Sequence, residues 1–508
     1  MALFLIRVPA NYLRVVRVAL IVILNLVLFK VLAQSRKDSI DVFIHQQMRE
    51  RHIPGLQLAI LRNGQINQLS AYGLANIEHN IKTTNQSVFS INSITKAFVG
   101  VAIMQLAEQG KLRIDTPITQ YIDSLPTAWQ SLTIQQLLTN TSGLPNIIDQ
   151  DEHVLGGGQE QAAWLAVKAL PLEFISGDRF SYNQTGYVIL GKIIDQVSGV
   201  PFIQFIDDNQ FKVVGMNFTR FGDSGDVIPN SAGVYTKLRN VNGKWLARDA
   251  KNPLGVGFAE FPTFFRTATG ILSTVQDMAH WLMALQSGKL LKKKESLEAL
   301  WTPARLNNGQ VGGFNELTNG YALGWPTVTR DEHPAVAPVG GGRSALFVYP
   351  RDNLSIVVLT NLQGANPEWF IDEIAGYYYP EMHKANGFGL SPSLKTLRTE
   401  LLKKGFAKAI PIAKMLQQKN ASFHLRGDQL NSWGYYLLSE TKGPEALAIF
   451  NLIVSLYPQS ANAYDSLGEA YATMGDKANA IHNYKRSLEL DATNQNAANQ
   501  IAQLSKTP

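Results

Sequence analysis

Ser93 and Lys96, three residues apart in Phe89-Ser90-Ile91-Asn92-Ser93-Ile94-Thr95-Lys96, give the chain its most direct route to covalent chemistry. If a helix opens at Ser93, Lys96 lies one turn further on the same face, with its amine in reach of the hydroxyl. Helix N-terminal amides would also point outward there and favour developing negative charge. A serine hydroxyl is a poor nucleophile until a neighbouring base takes its proton. Lys96 can be that base only if burial or a nearby cation lowers its pKa from about 10.4. The spacing alone is not distinctive, since Ser439 and Lys442 repeat it in the tail. The 508 residues contain no cysteine, which excludes a thiol nucleophile, a disulfide and a thiolate-bound metal.

The elements that must position this pair are readable from hydrophobic period. Leu56 to Leu61 and Gln68 to Ala71 read as strands around the turn Arg62-Asn63-Gly64-Gln65. Ala345 to Tyr349 and Leu354 to Thr360 repeat the pattern around Pro350-Arg351-Asp352-Asn353. Early and late strands are expected to pair in one antiparallel sheet. Helical spacing covers Ala97 to Gln109, Ile134 to Leu138, Gly186 to Gln196 and Thr274 to Gln286. Sheet at both ends of a helical middle predicts α+β, an antiparallel sheet flanked by helices with a helical subdomain.

The two ends differ in texture from this domain. Residues 1–33 hold Arg7, Arg14, Arg17 and Lys30, no acid, and the run Val18 to Phe29, nearly all aliphatic apart from Asn25. This reads as a signal peptide or an N-terminal anchor, and predicts export to the periplasm or the extracellular space. At the other end, Gly434 and Gly468, Leu437 and Tyr471, Ala446 and Ala480, Phe450 and Tyr484, and Leu456 and Leu490 match at a separation of 34, the tetratricopeptide period. The expected organisation is a 1–33 leader, a 38–390 catalytic domain, a 391–427 helical linker or degenerate repeat, and 428–508 repeat-like helices forming an all-α tail. Two repeats are few for a free-standing stack, so the tail is expected to lean on the main domain or a protein partner.

Six ordered blocks carry a family resemblance. They are Pro54-Gly55, Ser93-Ile94-Thr95-Lys96, Leu137 to Pro145, Phe180-Ser181-Tyr182, Gly270-Ile271-Leu272-Ser273-Thr274 and Leu359-Thr360-Asn361. Over about residues 38–380 the chain resembles the β-lactamase-related, penicillin-recognising serine hydrolases, a group that includes class C β-lactamases, D-alanyl-D-alanine carboxypeptidases, D-amino-acid amidases and esterases. The resemblance implies a cleft between helices and sheet with Ser93 as nucleophile, Lys96 as its base partner and Tyr182 passing the proton to the leaving group.

Two departures bear on substrate. The family pattern Tyr-x-Asn reads Tyr182-Asn183-Gln184, so Gln184 keeps the amide one methylene further out. The strand that should carry Lys or His, then Thr, Ser or Gly, then Gly reads Val339-Gly340-Gly341-Gly342-Arg343-Ser344. The first-position cation, which in the family binds a substrate carboxylate and keeps the lysine poised, is absent. Gly341 and Gly342 still permit close approach of substrate, and the Gly342 amide could share an oxyanion hole with that of Ser93. Arg343 could restore the charge from nearby, or be an exposed or structural arginine.

The nine histidines show no paired ligand spacing, and no complete dinucleotide or phosphate loop occurs, so no metal and no cofactor are expected. The formal charge of +6 divides as +4 in 1–33, −2 in 34–390 and +4 in 391–508, which leaves no case for nucleic acid. The reading is an exported serine hydrolase acting through an acyl-enzyme on a small-molecule or peptide ester, amide or peptide bond. Its competitor is a peptide- or peptidoglycan-binding protein of the same fold without turnover. Contact with a membrane is expected only through an uncleaved N-terminal segment.

Overall fold

The computed structural model describes residues 34–149, 153–241, 244–249, 251 and 253–506. The leader assigned to 1–33 lies outside them. The chain divides into two compact units, one ending at Tyr377 and one beginning at Tyr378.

The first unit is built on an antiparallel sheet. Its strands follow the order Gly320–Tyr321, Pro326–Val328, Ala335–Val336, Ser344–Tyr349, Leu354–Thr360, Gly55–Arg62, Gln65–Asn76 and Ile81–Lys82, and Val339–Gly340 pairs with Ser344–Tyr349. The first and last long strands are neighbours, with Leu56 opposite Thr360 and Arg62 opposite Leu354. The expected pairing of early with late strands is therefore the centre of the sheet. Leu354–Thr360 and Ser344–Tyr349 are buried along their whole length, which is why they read as mostly apolar runs. Ala59, Leu61, Leu346, Val348, Val357 and Leu359 enter the large core with Met278, Leu282 and Leu285 of helix Val275–Gln286. Helix 34–51 is tied to the sheet by its Asp41, which accepts hydrogen bonds from Tyr72 at 2.5 Å and Gln68 at 3.3 Å.

The helical middle is organised around Thr95–Glu108, whose residues are buried from Thr95 to Leu106. A helix apolar on all sides must be enclosed on all sides. Thr185–Ser198, Phe202–Ile206 and Lys294–Trp301 pack against it. The unit is α+β, with its nucleophile candidate at the mouth of its most buried helix. Among the described residues no single helix is long and apolar enough to cross a membrane.

The second unit is all helical: Pro392–Lys404, Ala409–Lys419, Gly427–Ser439, Gly443–Leu456, Ala461–Thr473, Lys477–Leu490 and Gln495–Lys506. The 34-residue period has a contact behind it. A Cβ on Gly434 would lie 2.8 Å from the Phe450 ring, and one on Gly468 would lie 2.9 Å from the Tyr484 ring. Each glycine lets one helix close on the aromatic residue of the next. The earlier pair, Pro392–Lys404 with Ala409–Lys419, shares a core running from Leu394 to Ala470, so the stack begins before the recognisable repeats.

Candidate active site

The segment before Ser93 is held from two directions. Strand Phe89–Ser90 pairs with Ile271–Ser273, Ile91 donates its amide to the Ile271 carbonyl at 3.0 Å, and the Ile271 amide bonds Thr95 Oγ1 at 3.2 Å. On the other side, Ser344 Oγ donates to the Ile91 carbonyl at 3.0 Å and Asn92 Nδ2 reaches the Gly340 carbonyl at 3.5 Å. Asn92 has φ of +47°, a strained left-handed conformation, and its Oδ1 accepts from Ser90 Oγ at 2.7 Å. A 3₁₀ turn over Asn92–Ile94 then leads into Thr95–Glu108. Ser93 thus lies in the turn before the helix, and Lys96 is the second residue of the helix proper. From Ile91 to Leu106, Ser93 alone is not fully buried.

Lys96 is 1% exposed. Its Nζ lies 3.5 Å from Ser93 Oγ and donates to the Ala268 carbonyl at 2.6 Å. It sits 4.7 Å from the centre of the Tyr182 ring and 5.0 Å from that of Tyr187. Burial without a counter-ion holds its pKa well below the ordinary lysine value. Burial pushes Tyr182 up to about 12, with hydrogen bonds from Ser93 and Gln184 acting in the opposite direction. The Tyr182 ring packs against Phe314 at 4.9 Å and Tyr321 at 6.4 Å.

The Leu137 to Pro145 block explains how Tyr182 gets there. Asn140 accepts the Ser181 amide on its carbonyl at 2.9 Å and the Asn183 amide on its Oδ1 at 3.1 Å. Asn183 donates to the Leu144 carbonyl at 2.7 Å, Thr185 to that of Pro145 at 2.6 Å, and the Gln184 amide to Asn146 Oδ1 at 3.2 Å. Asn183 is committed to this scaffold. Gln184 beside it leaves Oε1 buried without a partner.

Ser93, Lys96, Tyr182 and Gln184 therefore meet in one place. The glycine turn meets the same loop one residue earlier: a Cβ on Gly340 would lie 2.0 Å from the Ile91 oxygen, and one on Gly341 2.4 Å from Asn92 Nδ2. The corresponding edge of Gly342 faces Asn366 Oδ1 at 2.6 Å. Val339 is half-buried. Arg343, only 7% exposed, is not the exposed arginine that one sequence alternative allowed. Tyr187, Tyr321 and the Ala268 carbonyl had no signal in the sequence, because their roles depend on position and not on residue type, while Asn140 was marked only as part of the Leu137 to Pro145 block. No cluster of metal-ligating side chains occurs among the described residues.

Gly340→Ala is expected to destabilise the first unit by about 2–3 kcal/mol, because the methyl collides with backbone that is itself fixed. Denaturant unfolding checks it, and an unchanged midpoint would contradict the close approach.

Comparison with known proteins agrees with this geometry. The family described as Beta-lactamase matches residues 40–376. "Protein flp" of Staphylococcus aureus (strain MW2) is 26% identical over 339 residues, covering 65% of this chain and 64% of that protein. The chain thus spans less than two thirds of the length of this curated relative. Among solved structures, a penicillin binding protein from Bacillus halodurans superposes with a TM-score of 0.52 at 26% identity, over 65% of this chain and 98% of that one. The octameric penicillin-binding protein homologue from Pyrococcus abyssi gives 0.58 at 23% identity, over 71% and 81%.

Proposed function

The chain belongs to the β-lactamase family, whose fold supports serine hydrolases, and on that footing we propose that it cleaves an ester, amide or peptide bond through an acyl-enzyme on Ser93. One observation carries the reading: Lys96 is buried without a counter-ion, 3.5 Å from the Ser93 hydroxyl. A neutral amine with one hydrogen given to Ala268 can turn its lone pair to Ser93. Desolvation lowers the pKa of that amine with no neighbouring cation involved, so the reading does not depend on the cation missing at Val339.

In the first step the Ser93 proton passes to Lys96 while Oγ attacks the carbonyl carbon. The amides of Ser93 and of the Gly341–Gly342 turn receive the oxyanion. Tyr182, a phenol throughout the physiological range, gives its proton to the leaving group, and the Lys96 ammonium beside its ring restores it. Water repeats the sequence in reverse to free Ser93. Gln184, with its unpartnered Oε1, is suited to accept a hydrogen bond from a substrate N–H or O–H. The basic, acid-free 1–33 segment supports export.

A fluorophosphonate probe is expected to label the full-length chain once, on the peptide containing Ser93. A panel of p-nitrophenyl butyrate, D-amino-acid amides and nitrocefin then assigns the bond. No labelling and no turnover of any member would leave the non-catalytic binding protein as the reading.

A further inference from the structure

Arg343, next to the glycine turn, is buried against a cavity. That cavity holds about 400 Å³, and its wall includes Ser90 and Leu272 but neither Lys96 nor Tyr182. The guanidinium is buried, and its Nε and Nη1 have no hydrogen-bond partner. Burial alone lowers its pKa to about 10, with no carboxylate near enough to hold it up. Two acids share the cavity, and both are committed elsewhere. Asp223 accepts from the Gly225 and Phe261 amides and from Arg266 at 3.1 Å, while Asp226 accepts from the Asp223 amide and from the same Arg266 at 3.1 Å. A desolvated cation without a counter-ion is costly to keep.

The remainder of the cavity says what kind of anion would suit it. Val227, Val256 and Phe258 line it and are largely exposed, at 101%, 71% and 67%. A ligand entering past them would meet apolar surface first and the guanidinium further in. We propose that this cavity takes the carboxylate of an apolar acid, carried by the substrate as a second acid group that does not react: a half-ester or half-amide of a dicarboxylic acid. The cavity borders the nucleophile loop, because Ser90 lines it and bonds Asn92, the neighbour of Ser93.

The inference rests on the acyl-enzyme reading for its chemistry, which is ordinary acyl transfer. Ser93 Oγ bonds the ester carbonyl carbon, the alcohol leaves with a proton, and water then takes the acyl group while the distant carboxylate stays ionised on Arg343. The test compares p-nitrophenyl hydrogen glutarate, adipate and suberate with neutral p-nitrophenyl hexanoate. At least one half-ester is expected to exceed the neutral ester in kcat/KM by about 30-fold. Arg343→Met is expected to erase that ratio and Arg343→Lys to restore part of it. Equal kcat/KM for charged and neutral esters, or a ratio untouched by Arg343→Met, overturns the cavity assignment and leaves the hydrolase standing. If wild type turns over no ester, calorimetry with hexanoate and hexanamide decides the cavity alone, and the acyl-enzyme reading is judged by the probe and the amide and nitrocefin assays. Hexanoate binding that hexanamide does not share and that Arg343→Met loses keeps the assignment, and any other result ends it. Methionine removes an unpartnered charge without emptying the space, and the Lys variant covers the case in which it does not fold.

Discussion

Ser93→Ala is expected to lower turnover of every accepted substrate by about 10⁴-fold or more and to abolish fluorophosphonate labelling, without changing the fold. The size follows from the role: without Oγ there is no acyl-enzyme, and only binding and oxyanion donors remain. The fold should survive because Ser93 is the partly exposed residue of an otherwise buried segment. Labelling of Ser93→Ala at the wild-type level, with circular dichroism unchanged, would remove Ser93 from the chemistry. Ser439, the other serine with a lysine three residues on, is the control. It lies in helix Gly427–Ser439, where its hydroxyl donates to the Tyr436 carbonyl, and should not label.

Lys96→Met is expected to reduce kcat by about 10³-fold and, at neutral pH, to raise the thermal unfolding midpoint. The two effects have one cause, an ammonium that the core cannot solvate. In the folded chain the Lys96 pKa lies well below its ordinary 10.5. Between the folded value and 10.5 the unfolded chain holds the extra proton, so stability contributed at this site rises with pH across that window. The advantage of Lys96→Met over wild type should therefore shrink as pH approaches 10.5, and an advantage independent of pH would contradict the buried neutral amine. Activity follows the same group. Turnover should fall as pH drops through the lowered Lys96 pKa, because the protonated amine has no lone pair for the Ser93 proton. Tyr182 at about 12 adds no alkaline limb over the range in which the protein can be assayed.

The sequence made the large elements legible because they are periodic. The strand expected over Leu354 to Thr360 has those bounds, and the helix expected over Ala97 to Gln109 is Thr95–Glu108. Of the six ordered blocks, Ser93 to Lys96 and Phe180 to Tyr182 hold the candidate catalytic side chains, and the others brace them. Asn361 accepts the Gly55 amide at 2.8 Å and donates to the Leu74 carbonyl at 3.0 Å, which ties two blocks together. Thr274 caps Val275–Gln286 by accepting the Asp277 amide at 3.1 Å. Such residues are recognisable as motifs before their purpose is, since their partners are set by the fold, three residues away for Thr274 and 306 for Asn361. The polarity of the Lys96 environment was not legible, because it depends on a backbone carbonyl and two tyrosine rings brought in by the fold. Nor could the sequence distinguish Gly341, which abuts the nucleophile loop, from Gly342, which faces Asn366.

The grip on the Ser93 loop has a consequence for how the protein matures. Its partners Ile271, Gly340 and Ser344 lie far along the chain, with separations of 248 and 253 residues for the Asn92–Gly340 and Ile91–Ser344 bonds. Contacts across such spans close late, because loop entropy must be overcome before they return anything. A nascent or truncated chain that already contains Ser93, Lys96 and Tyr182 would lack the clamp that shapes them. The polypeptide would thus stay chemically silent until its last strands arrive, and reactivity toward a covalent probe would mark the moment at which folding is complete.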